Sequence, residues 1–455
     1  MREDNTWMET PKLPTQWHKF THLMGKKYPL NDPFLPEIHD ICIMYQRYIA
    51  DPITEALKDT PVILINGARQ TGKSTLCRQL LGEGVFDGQI MTMDDPTTLA
   101  AAQVDPLGFL QNLSQHAIID EVQRAPQLFL SIKKLVDENR KERRLILTGS
   151  ADVMTLPQVA DSLAGRIEIH HLWPLSQAEI LGKRSKFLHT LVNGESRFDS
   201  QKASWKDIIE AIRTGGYPEV LQRESEGRKA KWFESYISAV LQKDIRELAN
   251  VEGLTQIPNI LQLIGTRVGS TVNLSDIARL SGVKNTTLQR YMALLEHVFL
   301  IMKIPAWTPN IEGQFVKSPK IFLNDTGLLS HLRGEGIDSL LENRTTAGAF
   351  LENFMVMEII KQLGWSGLYL KPYHFSIHKG AEVDLILEDR KKQLYGIEIK
   401  STASVSHSDF RGLRRLAEIA GKRFQRGIVL YAGDQVVGGF GENLQAVPIP
   451  AVWSE

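Results

Sequence analysis

The sequence predicts an α/β fold, a mostly parallel sheet with helices on both faces, and three observations predict it. Short apolar, β-branched runs at 62–66, 89–93, 117–120, 145–148 and 167–172 alternate with helical stretches, a pattern that implies parallel strands. The first run, Val62–Asn66, leads into Gly67-Ala68-Arg69-Gln70-Thr71-Gly72-Lys73-Ser74-Thr75, which fits the phosphate-loop pattern G-x-x-x-x-G-K-S. Leucines at helical spacing follow in Thr75–Leu81, so the loop sits between a strand and a helix, the context in which the pattern carries meaning.

The residue types of the loop fix its expected chemistry. Gly67 and Gly72 admit backbone angles that a side chain forbids. The N–H groups of the loop, Gly67, Ala68, Arg69, Gln70, Thr71, Gly72, Lys73, Ser74 and Thr75, can then wrap a polyphosphate at the positive end of the next helix. Lys73 would reach the β- and γ-phosphates, and Ser74 would set its hydroxyl on Mg²⁺. The competing reading is a Gly-rich turn with an exposed lysine.

The strand at 117–120 ends in Asp120-Glu121. Asp120 is placed to hold Mg²⁺ through water, and Glu121 to polarise the attacking water. Two acids at a strand end also simply open loops, and only the phosphate loop two strands earlier gives them weight. The next strand ends Thr148-Gly149-Ser150, where Thr148 or Ser150 would sense the γ-phosphate or else cap a helix. Arg166 follows Gly165 near the sheet edge. It is expected either at the γ-phosphate of a neighbouring subunit or as a surface arginine on a loop carbonyl.

Length and charge bound the rest. At 455 residues the chain has room for about three domains. Lys+Arg and Asp+Glu are 53 each, so any grip on nucleic acid must come from a local patch. Cys42 and Cys77 are the two cysteines, too few for a disulfide framework or a zinc cluster, and they point to a reducing compartment. With a polar start and no apolar run of membrane-spanning length, a cytoplasmic protein is expected.

The expected divisions are an N-terminal extension at 1–48, the P-loop sheet domain at 49–185, a helical lid or linker at 204–254, a winged helix-turn-helix at 255–320 and a second α/β domain at 340–455. Residues 183–203 read as an irregular boundary. In the middle, Asn273–Leu280, the turn at Gly282 and Lys284–Tyr291 give two short helices, the second with a polar, basic outer face suited to a major groove or to protein contacts. The run Lys320–Gly327 then leads to the last domain.

There, Glu382 and Asp384 alternate on one strand, and Glu398 and Lys400 on its hairpin partner. Period two puts each pair on one face. Asp384 and Glu398 are then candidate ligands for Mg²⁺ or Mn²⁺, Lys400 a catalytic lysine, and Glu352 of the preceding helix a fourth member. An exposed hairpin with cross-strand ion pairs gives the same pattern. Arg411, Arg414, Arg415, Lys422, Arg423 and Arg426 form a basic stretch that suits a phosphate backbone or a solvated helix face.

From about residue 45 on, the chain resembles a prokaryotic family of AAA-superfamily ATP-binding proteins whose C-terminal half is a domain of unknown function. The resemblance rests on Gly67–Thr75, Ile119–Glu121, Leu147–Ser150, Gly165-Arg166, Gly215–Val220, Asp325–Leu328, Val383-Asp384 and Ile397–Lys400. It implies an AAA+ ATPase module of the regulatory kind and a C-terminal domain similar to PD-(D/E)xK nucleases, with Asp384, Glu398, Lys400 and Glu352 intact. ATP and Mg²⁺ are the implied cofactors, DNA or RNA the candidate partner, and a homo-oligomer the expected state. Three functions remain open: an ATPase acting on nucleic acid, an ATP-gated nuclease, and an ATP-switched scaffold without cleavage.

Overall fold

In a computed structural model, the described residues are 45–455 except 141, 154–162, 247–253, 311–316 and 378–379. The expected extension at 1–48 therefore lies almost wholly outside them, and the first described helix is Ala50–Ala56.

Among the described residues, the first sheet has five strands: β1 (Val62–Asn66), β2 (Gln89–Thr92), β3 (His116–Asp120), β4 (Arg144–Gly149) and β5 (Ile167–His171). They lie in the order β2-β3-β4-β1-β5 and all pair in parallel. The strands β1, β3 and β4 are buried almost throughout, and the edge strands β2 and β5 are not. A strand covered on both faces needs an apolar run, and these three have one; the runs expected at 89–93 and 167–172 are strands as well, at the edges. Alternate residues serve opposite faces. Val62, Leu64, Ala117, Ile119, Leu145 and Leu147 pack with the Leu128–Glu138 helix. Ile63, Ile65, Ile118 and Ile146 pack with the Lys73–Gly82 helix and with Ile49 and Ile53.

The stretch expected to be an irregular boundary contains a helix, Phe187–Asn193, whose Phe187, Leu188 and Leu191 are buried. Those three apolar residues share a helical face, a period short enough to be lost among the polar residues around it. Helices Trp205–Thr214 and Glu226–Ala239 follow, and the latter continues as a π-helical turn, Val240–Ile245. Next come Ile257–Gly265, Leu274–Ser281 and Asn285–His297, then an antiparallel ribbon of β6 (Ile301–Ile304) and β7 (Lys320–Leu323).

The C-terminal sheet is mixed. Strands β8 (Leu370–Ile377), β9 (Ala381–Asp389) and β10 (Leu394–Lys400) are antiparallel neighbours. Strands β11 (Phe424–Tyr431) and β12 (Leu444–Pro448) continue from β10 in parallel. One face packs on the Arg411–Ala420 helix through Val383, Ile386 and Val429. The other face, with Leu385, Ile397 and Leu430, joins the Arg344–Leu363 helix in a core that also takes in the middle helices.

Two motifs behind the resemblance meet in that core. The Asp325 carboxylate accepts from the N–H of Gly216 at 2.6 Å and of Leu328 at 3.0 Å. A side chain at Gly215 would run into the same carboxylate. Among the described residues, no helix is long and apolar enough to cross a membrane.

Candidate functional site

The parallel sheet brings the ends of β1, β3 and β4 together, and the phosphate loop hangs from β1. Gly72 has φ +95°, in the left-handed region that favours glycine. Gly67 is glycine for another reason: a Cβ there would sit 2.2 Å from the carbonyl oxygen of Leu172. Thr71 Oγ1 donates to the Ala68 carbonyl at 2.9 Å and closes the loop. The Lys73 ammonium, buried under the loop, donates to the carbonyls of Gly67 at 2.9 Å and Ala68 at 3.0 Å. Burial holds its pKa below the usual lysine range, against the pull of Glu121 and Asp120.

Ser74 Oγ donates to Asp120 at 3.0 Å, and Thr148 Oγ1 donates to the same carboxylate at 2.5 Å. The hydroxyl and carboxylate expected to share Mg²⁺ are thus side by side, a donor set of hard oxygens that fits the ion. Glu121 has φ +57°. Its N–H donates to Thr148 Oγ1 at 3.0 Å, and its carboxylate accepts from Ser150 Oγ at 2.9 Å. Lys73, Ser74, Asp120, Glu121, Thr148 and Ser150 are therefore one constellation, while Thr75 points outward from the first helical turn.

Three residues of this site were not singled out in the sequence. Arg47 donates to the Thr71 carbonyl at 2.7 Å, the Trp173 carbonyl at 2.7 Å and Glu179 at 2.9 Å. Asp244, in the π-helical turn, is bound by Arg69 at 2.8 and 3.0 Å. No local pattern marks Arg47, Glu179 or Asp244, because each finds its partner far away in the chain.

Arg166 is not brought to the loop of its own chain. Strand β5 runs parallel to β1 with Val62 beside Ile167 and Asn66 beside His171, so Arg166 sits where β1 begins and the loop where β1 ends. Its guanidinium pairs with Asp137 at 2.6 and 2.9 Å and donates to the Ala164 carbonyl at 2.9 Å.

At the other site, the register of β9 on β10 (Leu385 beside Ile397) puts Asp384 and Glu398 next to each other. Glu398 Oε1 pairs with Lys400 at 2.6 Å, whereas its other oxygen is buried with no partner. Burial, then the charge of Asp384, pushes the Glu398 carboxyl up to about 8 and also raises Glu352. The unexpected member is Lys320 from β7, whose ammonium pairs with Glu352 at 2.8 Å, Glu382 at 2.6 Å and Asp384 at 3.1 Å. Burial opposes its charge, but these acids win and raise its pKa. Of the residues expected to hold a metal here, Asp384 thus pairs with the Lys320 ammonium and Glu398 with that of Lys400. Among the described residues, no group of three or more His, Cys, Asp or Glu is disposed to hold a metal ion.

The other candidates divide. Lys284, Asn285, Thr286, Gln289 and Arg290 are exposed at the start of their helix. Of the basic stretch, Arg423 pairs with Glu388 at 2.7 Å and Arg415 with Glu418 at 2.8 Å, and Arg426 is buried on the Phe198 ring.

Family comparisons match an AAA domain to residues 59–181 and two domains of unknown function, DUF8612 and DUF4143, to residues 206–339 and 347–452. An uncharacterized protein of Mycobacterium tuberculosis is 31% identical over 374 residues, covering 81% of this chain and 77% of that protein. One from Haemophilus influenzae is 25% identical over 67% of this chain and 76% of its own length. Among solved structures, the Thermotoga maritima RuvB Holliday junction branch migration motor aligns over 57% of this chain and 90% of its own, at 17% identity and a TM-score of 0.28. That likeness is too slight to bear on what this chain does.

Proposed function

The chain belongs to the same family as the mycobacterial protein and carries an AAA domain, and from that premise we propose a Mg²⁺-dependent ATPase whose nucleotide state acts on its helix-turn-helix and nuclease-like parts, on nucleic acid. The observation that carries it is the meeting of Lys73, Ser74, Asp120, Glu121 and Thr148 around one loop.

The steps follow from those contacts. Lys73 exchanges the carbonyls of Gly67 and Ala68 for the β- and γ-phosphate oxygens. Ser74 and Asp120 would hold Mg²⁺, which neutralises charge on the phosphates. Glu121 turns from Ser150 to take a proton from water. The water oxygen bonds to the γ-phosphorus as its bond to the β–γ bridging oxygen breaks, giving ADP and phosphate. Two contacts lead outward. Arg69 on the loop holds Asp244 of the π-helical turn, and the N–H of Asp152, after β4, donates to the His297 carbonyl at 2.8 Å, where the outward-facing helix ends.

Calorimetry with Mg²⁺ and ATP, followed by phosphate release from Lys73→Ala and Glu121→Gln, tests the proposal. Binding by the parent and loss of turnover in both variants is expected. No nucleotide bound, or both variants as active as the parent, overturns it.

The filled acid cluster favours a second reading, an ATP-switched scaffold that cuts nothing. DNA binding that does not change with salt supports the scaffold, because phosphate contacts release counterions and give a slope.

A further inference from the structure

We propose that the acid cluster at β9 and β10 is a cation site whose resident cation is the Lys320 ammonium, so that strand β7 keeps divalent metal out of the C-terminal domain.

Four carboxylates meet there: Glu352 from the Arg344–Leu363 helix, Glu382 and Asp384 from β9, and Glu398 from β10. Lys320 touches three of them, and its side chain is 1% exposed. Asp384 uses its second oxygen to accept the Ile399 N–H at 2.9 Å. Glu398 is 8% exposed, and its Oε2 has no partner. A divalent cation bound by carboxylates needs contacts of about 2.1 Å. Such an ion would need the Asp384 and Glu352 oxygens that Lys320 already holds, and would bring a second positive charge against the ammonium.

The plug does not belong to the sheet it closes. Lys320 begins β7, whose partners are β6 and the bridge to Thr271. The turn before that bridge lies against the site: a Cβ on Gly269, which has φ +73°, would lie 2.7 Å from the Glu352 carboxylate. Lys320 thus belongs to the β6–β7 ribbon, and β6 follows the helix whose end is bound by Asp152. Glu382, half-exposed, forms the mouth.

The proposal stands apart from the ATPase reading, because its test uses the full chain without nucleotide. Mn²⁺ is titrated by calorimetry into the parent, Asp384→Asn, Lys320→Met and the Lys320→Met/Asp384→Asn double variant. The parent and Asp384→Asn should give the same isotherm. Lys320→Met should bind one further Mn²⁺, at least about tenfold tighter than any parent uptake, and the double variant should lose it. Mn²⁺ should also raise the melting temperature of Lys320→Met alone. Parent uptake reduced by Asp384→Asn overturns the proposal, as does a folded Lys320→Met that binds no more metal than the parent. If Lys320→Met does not fold, the parent and Asp384→Asn still decide: equal isotherms uphold the exclusion, and unequal ones end it.

Discussion

Lys73 and Lys320 are both buried, and their surroundings are opposite. Lys73 donates to two neutral carbonyls, and its charge is held down by burial. Lys320 is ringed by three carboxylates, and its charge is held up. The first is a cation waiting for an anion, since a polyphosphate offers what carbonyls cannot. The second already has its anions. Depth of burial alone does not mark a functional lysine; the charge of what it touches does.

The largest expected effect breaks the comparison on the Lys320 side. Lys320→Ala leaves buried carboxylates without their counter-charge, and unpairing such a group costs about 3–5 kcal/mol. Denaturant melts should show that loss. Lys73→Ala should lower phosphate release by about 10²–10³-fold yet barely move the melt, because its partners are neutral.

The acid cluster also predicts a pH effect. The Glu398 carboxyl titrates near 8 when folded against 4.5 ordinarily, so between those values the folded chain binds the extra proton. Stability from this group is whole below 4.5, falls as pH rises, and levels off above about 8. Glu398→Gln removes the slope, so its melting temperature should gain on the parent across that window and run parallel above it. A constant difference would mean that the carboxyl titrates normally.

The smallest effect sharpens the other side. Asp244→Asn removes a negative charge facing the loop and should tighten ATP about threefold to tenfold, on the order of 1 kcal/mol at intermediate dielectric. Calorimetry with ATP and ADP checks it, and ATP should gain more.

What the sequence disclosed follows from how local each signal is. The loop from Gly67 to Thr75 is contiguous, and β1, β3 and β4 carry unbroken apolar runs at 62–65, 117–119 and 145–147 because both their faces are covered, so loop and sheet were legible. Asp384 and Glu398 were legible from period two. Lys320 was not: it begins an apolar strand, and its partners Glu352 and Asp384 stand 32 and 64 residues away. Arg47 and Asp244 were hidden for the same reason. For Arg166 the sequence leaves a neighbouring subunit's γ-phosphate and a loop carbonyl both open, and only the register of β5 on β1 shows that it lies at the end of β1 away from its own loop.

The core that holds the middle helices also takes in Val452 and Trp453, and the Val452 carbonyl accepts from Ser185 Oγ at 2.7 Å. During synthesis the ribosome releases these residues long after it has made Phe187 and Ile209, which they help to cover. The parallel sheet around Lys73 has cores of its own and is free to fold as it emerges. The core that holds Phe187 and Ile209 closes only once Trp453 has emerged, and a nascent chain stalled before that point should be the form that chaperones hold.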